Sequence, residues 1–330
     1  GPVASRMPRT RSAFVPLVSV LALFLAGAGP APSAEAPADR LPPRPWVIAH
    51  RGASGHLPEH TLPAYAAAYF MGADFLEPDV AVTADGQLVV CHDVTLDRTT
   101  DVERRFPGRA REDGKWYVVD FTLEEIRSLS IDGPDRFDRG AGERGSAPAT
   151  PGGLRVPTLR EVLELLDHLN RQTGRRVGVI PEMKSPAFYA RNGRPMEAAL
   201  LDLLAEFGYA GPESGAVIQS FDHGALRRLR EEFGCRLPLL CLLGRKTEYD
   251  LDAIAAFADG VSRPRGAIEE DGGRFIEEAH ARGLFVISGT FADEPEEMAR
   301  YYHALGVDGL FSDFTDAGVR ARDAGAPAPR

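Results

Sequence analysis

The chain has 330 residues, of which 44% are hydrophobic and 26% are charged, and its formal net charge at pH 7 is −10. An acidic protein has no field that attracts nucleic acid or anionic lipid, so both are excluded as partners. Three cysteines, Cys91, Cys235 and Cys241, are too few for a disulfide framework, and whether Cys235 and Cys241 pair stays open. A chain of this length and hydrophobicity can bury one large core.

Residues 1–36 have the three-part pattern of a secretory signal peptide. Two arginines follow Met7, an apolar run covers 13–26, and small residues lead to Ala36. Cleavage after Ala36 leaves residues 37–330, which we predict to form one catalytic domain. The leader predicts a secreted or periplasmic protein, because such segments direct a chain across a membrane.

This leader is not expected to anchor the protein. Its apolar run is short and contains Pro16, which is untypical of a membrane-spanning helix, so we expect no stable membrane insertion after cleavage. Residues 1–6 precede Met7 and come either from an expression tag or from an upstream start.

Four short apolar runs carry ionisable residues at or near their ends, and each run has the length of a β-strand. The runs, with those residues, are Trp46–Ala49 before His50 and Arg51, Phe75–Val82 with Glu77 and Asp79, Leu88–Cys91 before His92, and Val177–Met183 with Glu182 before Lys184. Because the active site of a closed parallel barrel lies at the carboxyl ends of its strands, we expect these side chains to meet.

Helix and strand signals alternate along the chain. An Ala-rich helix is predicted over Thr61–Met71, and Thr122 and Thr158 each open a helix with a Thr-x-x-Glu capping box. Later helices, each followed by a glycine, are predicted over Met196–Phe207, His223–Phe233, Glu270–Arg282 and Glu294–Leu305. Further strands are predicted over Ala216–Ser220, Pro238–Leu242, Asp259–Ser262, Leu284–Ser288 and Asp308–Ser312. This alternation predicts an α/β protein with a (β/α)8 TIM-type barrel.

The predicted strands number nine, one more than such a barrel needs. The linker Thr83–Gln87 between two of them is too short for a crossover helix, and its Asp85-Gly86 is a strong hairpin signal. We therefore predict an antiparallel pair there, outside the ring of eight. With a two-residue loop at Asp85-Gly86, Asp79 would face His92 across the hairpin.

Residues 97–157 do not follow the alternation of strands and helices. They are polar, rich in Arg, Asp, Gly and Pro, and too long for a simple loop. We interpret them as an insertion after His92 that lies over the active-site face of the barrel. One helix is predicted inside it, over Thr122–Ser130.

Three carboxylates among the strand-end residues predict a metal site. Glu77, Asp79 and Glu182 form an all-oxygen ligand set that suits one divalent cation, Ca²⁺ or Mg²⁺. Three carboxylates leave excess negative charge around one such ion. Arg51 and Lys184 can offset that charge and bind a phosphate group.

Two histidines, His50 and His92, can serve as base and acid, because imidazole is the side chain whose ordinary pKa lies nearest to neutral pH. Singly, each of these features has a plainer interpretation: a histidine at a strand end usually makes a structural hydrogen bond, and Glu-x-Lys is commonly a surface ion pair worth under about 1 kcal/mol. Their co-occurrence at consecutive strand ends predicts metal-assisted cleavage of a phosphodiester. Glu59 is expected to support the site or cap a helix, whereas His56 and His60 are interpreted as loop residues without a chemical role.

Motifs along nearly the whole chain after the leader carry a family resemblance. They are His50-Arg51-Gly52, Pro58-Glu59-His60-Thr61, Glu77-x-Asp79, Thr83-x-Asp85-Gly86, His92-Asp93, Leu96-Asp97-Arg98-Thr99-Thr100-Asp101, Phe106-Pro107-Gly108-Arg109-Ala110, Asp120-Phe121-Thr122-Leu123, Pro181-Glu182-Met183-Lys184, Gln219-Ser220-Phe221-Asp222 and Gly306-Val307-Asp308-Gly309-Leu310-Phe311-Ser312-Asp313. In this order they resemble the glycerophosphodiester phosphodiesterases, most closely the secreted, periplasmic-type branch.

The resemblance implies divalent-cation-dependent hydrolysis of a glycerophosphodiester, such as glycerophosphocholine or glycerophosphoethanolamine, to an alcohol and sn-glycerol 3-phosphate. It also implies a (β/α)8 barrel with an insertion after the second histidine. By position in the motifs, the residues that match are His50 and His92 for acid/base catalysis, Glu77, Asp79 and Glu182 for the metal, Arg51 and Lys184 for the phosphate, and Phe221 for the glycerol end. Whether water attacks directly or the substrate's own 2-hydroxyl attacks first stays open.

Other functions are weighed against this one. The same chemistry could act on polyglycerol-phosphate polymers of the teichoic type. A non-catalytic surface-binding barrel is disfavoured because all the polar site residues are present. A sphingomyelinase-D-like lipase is disfavoured because the sequence shows no apolar helix suited to docking on a membrane.

Overall fold

The computed structural model describes residue 1 and residues 41–131 and 153–325. The described segments from residue 41 onwards belong to one compact unit that spans Asp39–Arg330. The predicted signal peptide and part of the predicted insertion lie outside the described residues. The division of the chain into a leader and a catalytic domain with an insertion therefore stays a prediction.

Within the described residues, eleven strands form one sheet with the neighbour order β4-β3-β6-β7-β8-β9-β10-β11-β1-β2-β5. Their bounds are β1 Trp46–His50, β2 Phe75–Glu77, β3 Asp79–Val82, β4 Leu88–Val90, β5 Gly178–Val179, β6 Glu182–Met183, β7 Ile218–Ser220, β8 Leu239–Leu242, β9 Gly260–Pro264, β10 Phe285–Phe291 and β11 Gly309–Ser312. Among these pairings β3–β4 is antiparallel and the others are parallel.

The parallel strands close into a ring of eight. Pro78 separates β2 from β3, and Ile180-Pro181 separates β5 from β6, so each of these two pairs is one strand with a break. β2 pairs with β5 and β3 pairs with β6, while β1 pairs with both β2 and β11. The first and last strands therefore meet, and the predicted (β/α)8 barrel is confirmed.

Helices alternate with the strands of the ring, as the sequence predicts. They are α1 Leu62–Met71, α2 Val102–Arg105, α3 Leu123–Ser128, α4 Leu159–Thr173, α5 Pro186–Arg191, α6 Glu197–Glu206, α7 His223–Glu231, α8 Leu251–Ala255, α9 Arg265–Glu270, α10 Arg274–His280, α11 Pro295–Arg300 and α12 Thr315–Asp323, with a 3-10 turn at Val118–Asp120 and a π-helical turn at Tyr301–Leu305. Both predicted capping boxes are present, at Thr122 and at Thr158.

One predicted helix is wrong as a single element. The segment Glu270–Arg282 holds the last residue of α9 and all of α10, and the two helices are separate. Gly272 and Gly273 lie between them with φ angles of 67° and 87°, in the left-handed region that ends a helix. The sequence resembles one helix because both helices bury apolar residues in the same outer core.

The hairpin of β3 and β4 is antiparallel as predicted, but its predicted register is wrong by one residue. Val82 pairs with Leu88, and the Cys91 amide donates to the Asp79 carbonyl at 3.0 Å. Asp79 therefore faces Cys91 rather than His92. A shift of one residue turns every side chain of a strand to its other face, so the hairpin does not itself set an imidazole opposite the carboxylate.

The cause of the shift is the loop of the hairpin. The Gly86 amide donates to the Thr83 carbonyl at 3.0 Å, and Gly86 has a φ of 78°. This is a type I turn followed by a left-handed glycine, which makes a three-residue loop instead of the predicted two-residue one.

Two apolar cores lie inside and outside the ring. The inner core fills the barrel and consists of Trp46, Ile48, Phe75, Ile180, Val217, Leu240, Leu242, Phe285, Ile287 and Phe311. Along β1 the inward residues Trp46 and Ile48 alternate with Val47 and Ala49 of the outer core. His50 continues the inward series, so its position on the strand directs it towards the open end of the barrel.

Cys91, Cys235 and Cys241 are all free and buried, so Cys235 and Cys241 do not form a disulfide in this structure. Within the described residues, no helix combines the length and the hydrophobicity that crossing a bilayer requires.

Candidate active site

The register of the barrel brings most of the predicted site residues together. His50 at the end of β1 pairs with Glu77 on β2. Asp79 at the start of β3 pairs with Glu182 on β6, and Glu182 pairs in turn with Gln219 on β7. Because Glu77 and Asp79 are two residues apart, their side chains share one face, and the polar residues of four adjacent strands converge there.

Glu77, Asp79 and Glu182, called here the carboxylate cluster, are buried and offer oxygen atoms within 4.8 Å of one another. Burial, followed by the charges of Asp79 and Glu182, raises the pKa of Glu77 well above its usual range. Burial and the neighbouring Asp79 raise the pKa of Glu182 to about 8. A bound divalent cation would stabilise all three in the ionised form, so the electrostatics of the cluster fit a metal site.

Two buried oxygen atoms, one in the cluster and one beside it, further support a metal site. Asp79 Oδ1 and Gln219 Oε1 have no hydrogen-bond partner among the described residues. Gln219 Nε2 donates to Glu77 Oε1 at 2.8 Å, which fixes the orientation of the amide because a carboxylate can only accept. Buried polar atoms are normally paired, and oxygen atoms are the ligands that Ca²⁺ and Mg²⁺ prefer.

Lys184 and Arg51 flank the cluster with positive charge. Lys184 Nζ lies 2.8 Å from Glu182 Oε1 and 3.8 Å from Asp79 Oδ1. Arg51 Nε lies 3.4 Å from Asp79 Oδ2, and the Arg51 amide donates to Glu77 Oε2 at 2.9 Å. Burial lowers the pKa of both cations, but the surrounding carboxylates outweigh it and raise both, so each stays charged.

Two cavities open at this end of the barrel. The first, of about 120 Å³, is lined by His50, Glu77, Glu182 and Phe221 together with apolar residues of the later strands. The second, of about 290 Å³, is lined by Glu182, Lys184 and Phe221. Phe221 is 58% exposed and Glu182 is buried, and both border the two cavities. Among the described residues, Glu77 and Glu182 of the cluster therefore line space beside Phe221.

His50 is held in place by the last strand of the barrel. Its Nδ1 lies 2.7 Å from Oδ1 of Asp313, the residue after β11. The Ser54 hydroxyl donates to the same carboxylate oxygen at 3.0 Å. A histidine whose Nδ1 is bound to a carboxylate has a fixed ring orientation and tautomer.

His92 does not line either cavity. A series of ion pairs connects it to Arg51, which lies beside the carboxylate cluster. Its Nδ1 lies 2.5 Å from Asp93 Oδ1, and Asp93 Oδ2 pairs with Arg98 Nε. Arg98 Nη2 donates to Glu59 Oε1 at 2.7 Å, and the same oxygen accepts from Arg51 Nη1 at 3.0 Å. We call this series, His92–Asp93–Arg98–Glu59–Arg51, the charge ladder. Glu59 joins the two arginines of this series, and its supporting role stays a prediction.

Several residues around the site received no role from the sequence. Gln219 lies one residue before the end of β7 and Asp313 directly follows β11, so the strand-end rule that selects His50 could have found them. His60 and Arg98 lie in loops, and the family motifs that contain them, Pro58-Glu59-His60-Thr61 and Leu96-Asp97-Arg98-Thr99-Thr100-Asp101, give them no role. His60 was interpreted as a loop residue, yet its Nε2 lies 2.7 Å from Asp79 Oδ2 inside the protein.

A (β/α)8 barrel with a buried carboxylate cluster and a carboxylate-bound histidine at its carboxyl-terminal face has the features of a metal-dependent hydrolase. Residues 50–317 match the model of the glycerophosphoryl diester phosphodiesterase family. The chain belongs to that family and is a phosphoric diester hydrolase.

Individual relatives agree with this assignment. The chain is 38% identical over 326 residues to a glycerophosphodiester phosphodiesterase of Haemophilus influenzae, covering 83% of this chain and 88% of the relative. It is 32% identical over 286 residues to a glycerophosphodiester phosphodiesterase of Bacillus subtilis, covering 83% and 85% of the two chains.

Solved structures share the fold. A Silicibacter pomeroyi protein provisionally named a glycerophosphoryl diester phosphodiesterase has a TM-score of 0.69 at 29% identity, covering 87% of this chain and 95% of its own. An Oleispira antarctica phosphodiesterase, solved in complex with the product sn-glycerol-3-phosphate, has a TM-score of 0.64 at 22% identity, covering 85% and 97%. At that identity the second likeness concerns the fold alone.

Proposed function

We propose that the chain hydrolyses glycerophosphodiesters, such as glycerophosphocholine and glycerophosphoethanolamine, to an alcohol and sn-glycerol 3-phosphate. The observation that carries this proposal is the carboxylate cluster beside a cavity lined by His50, in a chain of this family. The cluster would hold one Ca²⁺ or Mg²⁺ ion. When bound, the cation supplies a Lewis acid that offsets negative charge on a phosphate oxygen.

His50 and His92 are the proposed acid/base pair. Each Nδ1 is bound to an aspartate, at 2.7 Å from Asp313 and at 2.5 Å from Asp93, so Nε2 is the atom assigned to proton transfer. One histidine takes the proton of the attacking oxygen, and the other protonates the leaving alcohol. The base becomes an imidazolium when it takes the proton, and the acid starts as an imidazolium and becomes neutral when it gives one up, so the aspartate bound to each histidine stabilises its protonated form.

Arg51 and Lys184 are the proposed phosphate contacts. Both lie beside the carboxylate cluster and both are charged, so they can attract the anionic ester to a site that is otherwise acidic. Phe221 offers an exposed ring at the border of the two cavities, and we assign it to the glycerol end of the substrate.

The test is the release of sn-glycerol 3-phosphate from glycerophosphocholine with Ca²⁺, with Mg²⁺ and with a chelator. Release with either cation that the chelator abolishes would support the proposal. Glu182→Gln should lose most of the activity, because it removes one ionised ligand, whereas Glu164→Gln, the same change at an exposed position of α4, should not. Undiminished release in the presence of chelator would contradict the proposed role of the cation.

A polyglycerol-phosphate polymer is the second substrate arm of this experiment. Release of glycerol phosphate units from the polymer, with none from glycerophosphocholine, would transfer the same chemistry to a teichoic-type substrate. Release from neither substrate would contradict the proposed activity.

We also propose that the protein acts outside the cytoplasm, as a member of the secreted, periplasmic-type branch. The support is the leader pattern of residues 1–36 alone. Amino-terminal sequencing of the enzyme from the extracytoplasmic fraction should begin at Pro37, and Ala36→Asp should prevent that cleavage. Full-length protein confined to the cytoplasm would contradict the proposal.

A further inference from the structure

His60 is buried behind the carboxylate cluster and is bound on both sides of its ring. It is 4% exposed, and Nε2 lies 2.7 Å from Asp79 Oδ2. On the other side, Nδ1 lies 2.7 Å from the hydroxyl of Tyr65, a fully buried residue of α1. The His60 amide also donates to the Arg51 carbonyl at 3.0 Å, so the backbone of the residue is fixed as well.

The hydrogen-bond inventory determines which atom carries the proton. A carboxylate can only accept, so the hydrogen in the contact with Asp79 belongs to Nε2 of His60. With Nε2 protonated, the neutral ring accepts at Nδ1 from the Tyr65 hydroxyl at 2.7 Å, and this hydroxyl also lies within a longer 3.3 Å of the Glu77 carbonyl oxygen. Tyr65, His60 and Asp79 thus form a directed relay of two hydrogen bonds that ends on one oxygen of the carboxylate.

The two oxygens of Asp79 therefore have different surroundings. Oδ2 accepts from His60 and lies 3.4 Å from Arg51 Nε. Oδ1 is buried without a hydrogen-bond partner among the described residues, and it lies on the side of Lys184, at 3.8 Å from Nζ. A carboxylate held in this way presents one oxygen to the cluster and keeps the other away from it.

We propose that His60 is a positioning residue that makes Asp79 a one-oxygen ligand: it retains Oδ2 and leaves Oδ1 for the cation. The inference rests on the proposed metal site of the same cluster. Removing a group that hydrogen-bonds to a metal ligand, without itself contacting the metal, typically lowers metal affinity about 10- to 100-fold. A single-oxygen aspartate suits the strict octahedral shell of Mg²⁺, whereas Ca²⁺ accepts carboxylates through one oxygen or two.

The experiment is calorimetric titration of the full-length, metal-free protein with Mg²⁺ and with Ca²⁺, without substrate. His60→Leu removes the donor, and it should weaken Mg²⁺ binding about 10- to 100-fold. Ca²⁺ binding should fall less, because the released carboxylate can bind Ca²⁺ through both oxygens. The ratio of Ca²⁺ to Mg²⁺ affinity should therefore rise. His60→Gln, whose amide nitrogen can reach the place of Nε2, should restore both affinities to within about 3-fold of the parent.

Unchanged affinities in a folded His60→Leu protein would overturn the inference, as would equal losses in His60→Leu and His60→Gln. If His60→Leu does not fold, Tyr65→Phe decides, because it removes the hydroxyl that lies 2.7 Å from His60 Nδ1 and 3.3 Å from the Glu77 carbonyl oxygen and keeps the rest of the side chain. Tyr65→Phe should weaken Mg²⁺ binding more than Ca²⁺ binding, and unchanged binding of both would overturn the relay. Since no substrate is present, a parent that binds cation but releases no sn-glycerol 3-phosphate would contradict the proposed activity and leave the role of His60 intact.

Discussion

The carboxylate cluster and the outer part of the charge ladder differ in burial and in the elements that carry them. Glu77, Asp79 and Glu182 lie on barrel strands and are at most 7% exposed. The side chains of His92, Asp93 and Arg98 lie in the segment after the hairpin and are about 30% exposed. The proposed cation-binding residues thus lie on barrel strands, whereas one of the two proposed proton-transfer groups lies on a segment that solvent can reach.

The largest effect expected from this difference is on turnover. His92→Ala and His50→Ala should each lower kcat by about 10²–10⁴-fold, because each removes an acid/base group. Cation affinity should stay within about 3-fold of the parent in both, since neither imidazole is a proposed ligand. Steady-state kinetics and calorimetric titration together check this, and full turnover in either variant would remove that histidine from the proposed pair.

The second effect concerns the stability of the metal-free protein. Glu182 has a pKa of about 8 in the folded state, raised by burial and by Asp79, and a pKa near 4.5 when exposed. Between these values the folded protein binds more protons than the unfolded one, so the free energy of unfolding should fall as pH rises from about 5 to about 8, on the order of a few kcal/mol. Denaturant titrations with chelator should show this fall. Saturating Ca²⁺ or the Glu182→Gln change should reduce it, and a pH-independent stability would contradict the assignment.

Gln219 donates to Glu77 of the carboxylate cluster, and Arg98 pairs with Asp93 of the charge ladder. Substituting each residue in turn therefore tests the two regions separately. Gln219→Leu removes the donor to Glu77 Oε1 and should weaken cation binding about 10- to 100-fold. Gln219→Glu is the contrasting variant, since it brings a fourth carboxylate without restoring the donor. Calorimetric titration checks both, and an unchanged affinity in Gln219→Leu would show that Glu77 is oriented by other groups.

Arg98→Met breaks the charge ladder between Asp93 and Glu59 and should act on the histidine side alone. We expect kcat to fall about 10-fold, because a displaced His92 transfers its proton less well, with cation affinity unchanged. Arg98→Lys keeps the charge and should recover part of the loss. A fall in cation affinity equal to the fall in kcat would show that the two regions are not separable.

Thr158→Ala should give the smallest effect. It is the control substitution for both the carboxylate cluster and the charge ladder. It removes the capping box of α4, away from the site, and should cost about 1 kcal/mol of stability. Thermal unfolding should show a slightly lower midpoint, with kcat and cation affinity unchanged. A change in either would mean that strain in α4 reaches the active site.

The sequence predicts those parts of the site that depend on the alternation of side chains along a strand. Glu77 and Asp79 share a face because they are two apart in a strand, and Glu182 joins them because strand ends meet at one end of the barrel. The register of the hairpin was not predictable in this way. Asp85-Gly86 is compatible with a two-residue or a three-residue loop, and a contact distant in sequence, from the Leu123 amide to Asp85 Oδ1 at 3.0 Å, stabilises the observed one.

The charge ladder shows a second limit of the sequence. The chain has 38 basic and 48 acidic residues, so no local pattern selects Glu59 as the partner of Arg98, 39 positions away. His60 was passed over for the same reason. Its neighbour Glu59 and its partner Asp79 were both predicted to belong to the site, but only the turn after β1 brings the ring against the carboxylate.

The hydrogen bond between His50 and Asp313 joins residues 263 positions apart, across the seam where the first strand meets the last. A contact of this separation forms late, because the intervening chain must be ordered first. A nascent or truncated chain that lacks β11 would hold all three carboxylates and both imidazoles and still leave one imidazole without its anchor. On the proposed role of His50, full activity therefore requires the last strand, although all the other proposed site residues lie earlier in the chain.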